Sequence, residues 1–202
     1  MSDRQVHIVP AAELDQYLPR LYELINTAFR SQDKSAYDDQ NNPFPGWQRL
    51  ANSDQIKLEL GQDGLAAIIL DRSAPQDVDR PVAIACVKPW KGRVVAGSTF
   101  EQAERSHVGP HDWEVALCAA DPDPRHHHRG LVSKCLAALV QHLRTRAEDG
   151  SMVLWISALL GVGSVEYWQR RGFVMQGEPD VAAVGTWDSV APFSIATLKR
   201  VG

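Results

Sequence analysis

The clearest pattern in the chain is a set of apolar residues that recur every third or fourth position. One stripe covers residues 14–29 and a second covers residues 131–143, and this spacing places apolar side chains on one face of an α-helix. Pro10 stands before the first stripe, and proline is tolerated in the first turn of a helix because no amide is needed there. We therefore expect a helix of about four turns to follow Pro10. A second helix should begin after Gly130.

Short apolar runs rich in branched side chains predict the strands. They lie at residues 6–9, 64–70, 81–89, 113–120, 152–157, 173–176 and 192–200. The second and third runs are separated by a turn-like segment, so we expect them to pair antiparallel. Gly150 predicts the end of the second long helix, and residues 165–171 predict a short helix. The polar, proline-rich segment 31–48 predicts a loop, with a short helix over residues 47–56.

Composition and charge narrow the function classes. The chain has 202 residues, with 21 Lys and Arg against 25 Asp and Glu, which gives a net charge of −4. An acidic chain lacks the positive field on which sequence-independent nucleic-acid binding depends, so we expect no nucleic-acid partner. Residues 125–148 nevertheless hold five basic residues against one acidic residue. They predict a local site for an anion. Without an internal repeat or a linker, the order of elements predicts one domain over residues 1–202.

The cysteines and the apolar stretches indicate the cellular compartment of the protein. Cys86, Cys118 and Cys135 are odd in number and lie in apolar segments, which favours reduced thiols in an intracellular protein. No apolar stretch typical of a signal peptide stands near residue 1, and residues 153–163, the most apolar stretch, are fewer than the ~18 that cross a bilayer. We expect a cytoplasmic monomer or homodimer without a membrane partner.

The segment between the 113–120 strand and the second helix predicts the anion site. Free amides at a helix N-terminus bind phosphate, and a glycine there lets a ligand approach the backbone. Gly130 occupies this position, with Arg125, Arg129 and three histidines beside it. The alternative is that Gly130 only permits a tight turn and that the basic residues are a solvated rim.

Two motifs resemble the GNAT superfamily, the acyl-CoA-dependent N-acetyltransferases. The strand at 113–120, Pro124 and the run His127-His-Arg-Gly130-Leu-Val132 resemble the strand, turn and Q/R-x-x-G-x-G/A pyrophosphate loop of that family. The run Ser164-Val-Glu-Tyr-Trp-Gln-Arg-Arg-Gly172-Phe173 resembles its short helix ending in Gly-Phe. The resemblance covers residues 110–177 and extends to the remainder in element order.

The resemblance implies both a fold and an activity. The fold is α/β (α+β), with a mixed, mainly antiparallel sheet of about six to seven strands, flanking helices and a splayed central strand pair. The activity is transfer of an acetyl group from acetyl-CoA, the co-substrate, to a primary amine of a small molecule or peptide, by direct attack in a ternary complex. No metal is implied.

The resemblance also implies which residues bind the cofactor. Main-chain groups of the splayed strand would hold pantetheine, and amides of the turn and helix start would hold the pyrophosphate. These residues are Cys118, Ala119, Ala120, His126, His127, His128, Arg129, Gly130, Leu131, Val132 and Ser133. Adjacent histidines in a turn alternate in direction, which disfavours reading them as metal ligands.

Candidate catalytic residues lie in the same two motifs. Glu114 stands where histone-acetylating members of the superfamily carry a catalytic Glu, so it is the candidate base; the alternative is a strand carboxylate paired with a neighbour. Trp168 occupies the position of the usual tyrosine acid, and Tyr167 precedes it. Tyr167 could substitute as the acid, or both aromatic residues could pack in the core.

The region after the first helix and the loop between the last strands line the acceptor side in the superfamily. The acceptor candidates are Phe29, Tyr37, Asp38, Asp39, Trp47 and Trp187. Aromatic rings with carboxylates suit a cationic amine, although ordinary loop packing explains the same residues.

Departures from the family pattern support two alternative functions. His127, Val132 and Trp168 replace typical residues, which favours a catalytically weak acyl-CoA-binding or regulatory protein as the alternative. The second alternative is a nucleotide- or NAD-binding enzyme. The run Gly161-Val-Gly163 after a strand resembles part of a dinucleotide-binding fingerprint, but Glu166 stands where its third glycine would be.

Overall fold

A computed structural model describes residues 5–32, 37, 42–71, 80–92, 108–126, 128–147 and 150–201. Its strands are β1 (Val6–Pro10), β2 (Leu65–Asp71), β3 (Arg80–Pro89), β4 (Asp112–Val115), β5 (Ala119–Ala120), β6 (Val153–Leu159), β7 (Val174–Met175), β8 (Asp180–Ala182) and β9 (Phe193–Val201). Its α-helices are α1 (Leu18–Arg30), α2 (Gln55–Leu60), α3 (Leu131–Arg144) and α4 (Ser164–Gln169). Among the described residues, no helix is long and apolar enough to cross a membrane.

The strands form one mixed sheet in the order β1-β2-β3-β4-β6-β9-β7. Two short strands share positions with others, because β5 continues the line of β4 beside β3, and β8 pairs with β9 as β7 does. The sheet therefore has seven strand positions, as expected from the sequence. Within the described residues, β4 and β6 are the parallel pair and the other pairings are antiparallel.

The expected splay lies between β4 and β6. These strands pair from Asp112↔Val153 to Glu114↔Trp155, whereas β5 pairs with β3 through Ile84↔Ala119. The single strand expected over 113–120 is thus interrupted at residues 116–118, because the chain stays beside β3 and leaves β6. A gap opens between the two strands on the carboxyl side of this pairing.

Two buried clusters cover the two faces of the sheet. Alternating side chains of β2 separate into them, with Leu65, Ala67 and Ile69 on the α3 face and Ile68 and Leu70 on the α1 face. Strands buried on both faces carry continuous apolar runs, which explains the sequence of β2 and β3. The apolar stripe of α3 packs on β1, β2 and β3, and α1 packs on β3 and β5.

Several predicted boundaries were wrong. The residues after Pro10 form a 3₁₀ turn at Ala11–Glu13, and α1 begins at Leu18 with a proline in its first turn. Leu14 keeps its place in the apolar stripe because the turn still buries it. The remaining differences have one cause: the bounds of these elements depend on tertiary packing, and the polar residues near them give no local signal of it. These differences are α2 at 55–60 in place of 47–56, α3 ending at 144 in place of 150, and the unexpected strand β8.

Leu139 tests the packing of α3 on the sheet. We expect Leu139→Ala to lower the free energy of unfolding by about 2–5 kcal/mol, because the side chain is fully buried and its removal leaves a cavity. Leu58→Ala on α2 is the matched control, since Leu58 is 78% exposed and should cost no more than about 0.5 kcal/mol. Urea denaturation measures both, and equal losses would contradict this packing.

Candidate active site

The turn between β5 and α3 is held by carboxylates that bind their own loop. Asp121 accepts hydrogen bonds from the Arg80 guanidinium at 2.6 Å and from the Asp123 amide at 2.9 Å. Asp123 accepts bonds from the guanidinium and amide of Arg125 at 2.8 to 3.1 Å, and these bonds hold the pKa of Asp123 well below its usual range. Arg125, expected at the rim of an anion site, is therefore paired within the loop.

The turn ends at Gly130, which precedes the first turn of α3 and has φ = 68°. A Cβ added there would meet no atom within 4 Å, so the glycine serves the left-handed backbone and the space beside it is open. First-turn amides have no acceptor within a helix, and the dipole adds partial positive charge at this end. The 14-residue helix α3 thus presents the amides of Leu131, Val132 and Ser133 to an anion.

The histidines of the turn do not act as one group. His126 is 2% exposed, and its Nε2 lies 3.5 Å from Asp71 Oδ2, so its side chain faces inward and its backbone alone can serve a ligand in the turn. His128 and Arg129 are exposed. His127 lies outside the described residues. Among the described residues, no group of three or more His, Cys, Asp or Glu side chains is placed to hold a metal ion.

Cys118, Ala119 and Ala120 line the gap between the splayed strands. Ala119 and Ala120 pair with β3 on one side, which leaves the opposite edge of β5 toward the gap. An extended ligand can add to such an edge by main-chain hydrogen bonds. Burial raises the pKa of the Cys118 thiol to about 12, so this thiol is protonated and does not serve as a nucleophile.

Tyr167 and Trp168 have different surroundings on α4. The indole of Trp168 is 5% exposed and packs edge-on against Phe173, with ring centroids 5.3 Å apart, which places it in the core. Tyr167 is half-buried, and the Arg171 guanidinium lies 3.4 Å from its ring centroid. Burial raises the pKa of the Tyr167 phenol, while the Arg171 charge and a hydrogen bond with Ser133 lower it in part. Tyr167 therefore lies beside Ser133 in the first turn of α3, as a protonated phenol.

Glu114 lies at the point where β4 and β6 part, and it is 7% exposed. It faces Lys88 in the register of β3 and β4, with Nζ and Oε2 3.4 Å apart. Burial raises the pKa of Glu114, and the Lys88 charge and hydrogen bond lower it in part. The sequence left open whether Glu114 is a base or a strand carboxylate paired with a neighbour. The ion pair with Lys88 is present. It does not remove the role of a base.

A second ion pair lies beside the first. Arg49 binds Glu59 through two parallel hydrogen bonds of 2.7 and 2.8 Å. The Glu59 charge raises the pKa of Glu114 and the Arg49 charge lowers it, so the two pairs share one electrostatic environment. Sequence analysis missed Lys88, Arg49 and Glu59 because they come from distant segments. The one available signal was the lone charged residue in each of the apolar runs 81–89 and 113–120, which are Lys88 and Glu114.

The four aromatic acceptor candidates meet in one cluster. Phe29 and Tyr37 both contact Trp47, with ring centroids 5.9 and 5.5 Å apart. Trp187 contacts Phe193, which joins the others through the buried Phe44. The guanidinium of Arg49 lies 5.1 Å from the Trp187 ring centroid and so connects this cluster to the ion pairs. Asp38 and Asp39 lie outside the described residues.

Backbone strain concentrates at the same aromatic cluster. Trp47 and Trp187 both have φ = 52°, and Asp188 follows with φ = 60°. A positive φ is uncommon for a bulky side chain, and such residues are found where surrounding contacts hold them at functional sites. Contacts of this kind are present, because Gln55 donates to Asp188 and the Val190 amide donates to the Pro43 carbonyl. The strained loop is thereby tied to the segment that carries Trp47.

The splayed parallel pair, the helix starting at its gap and the short helix behind it define the class of fold. No family model and no curated protein matches the chain. Solved structures match over nearly the whole chain. A GCN5-related N-acetyltransferase from Rhodopseudomonas palustris is 15% identical, with a TM-score of 0.59 and coverage of 99% of this chain and 96% of that one.

Two further structures agree with this match. NAA60 of Arabidopsis thaliana, solved with a bisubstrate analogue, is 13% identical with a TM-score of 0.58, covering 98% of this chain and 99% of its own. An acyl-CoA N-acyltransferase from Pseudomonas aeruginosa is 13% identical with a TM-score of 0.54 and the same coverage. The chain therefore has the GNAT fold, which confirms the fold expected from the two motifs.

Lys88 tests the electrostatic environment of Glu114. We expect Lys88→Met to raise the pKa of Glu114 further, because burial then acts without the opposing charge of Lys88. Carbon-13 NMR titration of the carboxyl group measures this shift. Lys57→Met is the control, since Lys57 pairs with Asp15 and its loss should leave the Glu114 titration in place. An unchanged pKa in Lys88→Met would contradict the described pairing.

Proposed function

We propose that the protein is an acetyl-CoA-dependent N-acetyltransferase that acetylates a primary amine of a small molecule or peptide. The observation that supports it most is the gap between β5 and β6, which joins an open helix N-terminus at Gly130 to a buried carboxylate at Glu114. One end of this gap suits a pyrophosphate and the other suits an amine.

The residues around the gap fit coenzyme A. The open space at Gly130 and the first-turn amides of α3 would hold the pyrophosphate, and the β5 edge at Cys118, Ala119 and Ala120 would pair with the pantetheine amides. A Cβ added at Gly130 would meet no atom within 4 Å, so the Val132 side chain does not fill the space there. When bound, acetyl-CoA supplies an acetyl thioester at the inner end of the gap.

Glu114 would act as the base in this reaction. The amine must lose a proton to attack the thioester carbonyl, and Glu114 can accept that proton through a water molecule when ionised. The N–C bond forms, the nitrogen releases its second proton to solvent, the C–S bond breaks, and the sulfur leaves as a thiolate. Because burial raises the pKa of Glu114, the base should work only above a higher pH than an exposed carboxylate would need.

Tyr167 is the better candidate to protonate the departing thiolate. Its phenol holds its proton at neutral pH, since burial raises its pKa above an already high ordinary value, and it lies beside Ser133 at the start of α3. Trp168 lacks an acidic proton and is buried against Phe173, so its contribution would be packing. A thiol with a pKa of about 8.5 also leaves reasonably well without an acid.

The aromatic cluster next to the two ion pairs would bind the acceptor. Its half-buried rings, Phe29, Tyr37, Trp47 and Trp187, offer apolar surface and faces that attract a cation. An amine attached to an apolar or aromatic body matches both features.

The second candidate function is a catalytically weak acyl-CoA-binding or regulatory protein. It is favoured by Trp168, which is a core residue where the resemblance expects a tyrosine acid. Both candidates bind acetyl-CoA, and they differ in whether an amine causes release of the free thiol.

Glu114→Gln separates binding from catalysis. We expect acetyl-CoA to raise the melting temperature of wild type and variant alike, because the ligand binds the folded state. With an accepted amine, kcat should fall by about 10²- to 10⁴-fold in the variant, since the base is lost. Thiol release measures the rate.

The outcomes of this experiment are distinct. NAD is the control ligand, and a melting shift with NAD but not acetyl-CoA would overturn the proposal in favour of dinucleotide binding at Gly161 and Gly163. A shift with acetyl-CoA but no thiol release with any amine would favour the second candidate. Equal kcat in wild type and Glu114→Gln would remove Glu114 as the base.

Trp187→Ala tests the acceptor side. We expect the KM for the amine to rise about tenfold or more, because the ring contributes buried aromatic surface, while the KM for acetyl-CoA stays near that of wild type. Trp187→Phe should retain most of the affinity. Val190→Ala, in the same loop and 60% exposed, is the control. A rise in the KM for acetyl-CoA alone would contradict the assignment of Trp187 to the acceptor side.

A further inference from the structure

A groove of about 700 Å³ runs along α3 from Ser133 to Thr145, and Arg171, which follows α4, and Arg200 of β9 also line it. Its lining includes Leu136, Ala137 and Val140 of α3 and the side chains of Arg144, Arg171 and Arg200. Three of these side chains are arginines, and the described lining includes no carboxylate. The groove is therefore a positive surface on a chain whose net charge is negative.

Two of the arginines are held in place. Arg171 donates to the Ser133 hydroxyl and to the Tyr167 carbonyl, both at 2.9 Å. Arg200 donates to the Arg171 carbonyl at 3.2 Å, and its guanidinium lies 5.0 Å from the Phe173 ring centroid. Each of these bonds uses part of a guanidinium and leaves further N–H donors. Positioned donors of this kind lose little conformational entropy when an anion binds.

The charges at the far end of the groove oppose each other. Burial and the charge of Arg144 both lower the pKa of Arg200, so the fold keeps two cations together at a cost. Within the part of the chain that the structure describes, no acidic side chain forms an ion pair with Arg144, Arg171 or Arg200. A bound anion would remove this repulsion.

The wall of the groove that α3 forms is largely apolar up to Arg144. Leu136, Ala137 and Val140 lie on one side of α3 and face the groove. A ligand that combines an anion with an apolar or planar body would use both walls, whereas an inorganic ion would use one.

The position of Arg144 separates the end of this groove that holds Arg144 and Arg200 from the phosphate site at Gly130. Arg144 follows Leu131 by 13 residues, and a helix rises about 1.5 Å per residue, so the two ends are about 20 Å apart. If a nucleotide has its pyrophosphate at Gly130, a phosphate on the adjoining ribose is too close to that end of α3 to reach Arg144.

We propose that this groove is a second anion-binding site, in which Arg144 and Arg200 bind the phosphate monoester of a small ligand and the α3 wall contacts its planar or apolar body. Guanidinium groups pair with phosphate oxygens in a bidentate way, which suits this group. The site is independent of acetyl transfer, so it does not rest on the proposed function. Both a free nucleoside monophosphate and the ribose phosphate of coenzyme A carry this chemistry.

Calorimetric titration with AMP tests the site, with adenosine as the ligand that lacks the phosphate. We expect AMP to bind wild type, adenosine to bind at least about tenfold more weakly, and Arg144→Ala to weaken AMP binding by about tenfold or more. Arg146→Ala is the matched control. It removes the same charge two residues further along the chain, and the Arg146 side chain does not line the groove. Arg144 is exposed, so its variant should fold.

A repeat titration at saturating acetyl-CoA distinguishes the two sources of phosphate. Unchanged AMP affinity supports an independent site, and loss of AMP binding would overturn it because the cofactor would then occupy the groove. Absence of AMP binding, equal binding of adenosine, or an equal loss in Arg146→Ala would each overturn the proposal. Arg200→Met, checked for an unaltered circular dichroism spectrum, should repeat the effect of Arg144→Ala.

Discussion

Three residue pairs join β4 to β6 in the described part of the chain, and the two strands part immediately after Glu114 and Trp155. The rest of the site follows from this parting. The chain that leaves β5 must enter α3 at the gap, so the first-turn amides of that helix open there. The chain that leaves β6 enters α4 and brings Tyr167 beside Ser133 in the first turn of α3. A continuous β4–β6 ladder would fill these main-chain positions with strand hydrogen bonds.

Charge compensation fixes the inner end of this gap. The side chains of Arg49, Glu59, Lys88 and Glu114 are each less than a quarter exposed, and buried charges are tolerated when they are paired and hydrogen-bonded. The two pairs hold the segment near residue 49, α2, β3 and β4 at fixed distances. They also keep Glu114 ionisable in a site where burial alone would favour the neutral acid. The strained loop around Trp187 is held to the same group, because Arg49 lies over its ring.

Local sequence was sufficient where the determining interactions are local. The stripes of α1 and α3 and the apolar runs of β2 and β3 predicted their elements, because helix and strand periodicities are short-range properties. Boundaries at residues 11–17 and 145–150 were wrong because packing, and not propensity, ends those elements. The break in the strand at 116–118 was not predicted as a break, since it depends on which neighbour the strand follows. The tyrosine and tryptophan of α4 separated into a residue beside α3 and a core residue only once the orientation of the helix was fixed.

The sequence by itself determined the fold class, the glycine turn before α3 and the two motifs that resemble the GNAT superfamily, because each of these is encoded within a few consecutive residues. The tertiary structure alone decided which distant residues meet. It paired Lys88 with Glu114, brought Phe29 and Trp187 into one cluster, and placed Arg144 beside Arg200. The physical reason is that a side chain's charge state and neighbours depend on burial and on strand register. Those properties arise when the sheet assembles and leave no periodic signal in the chain.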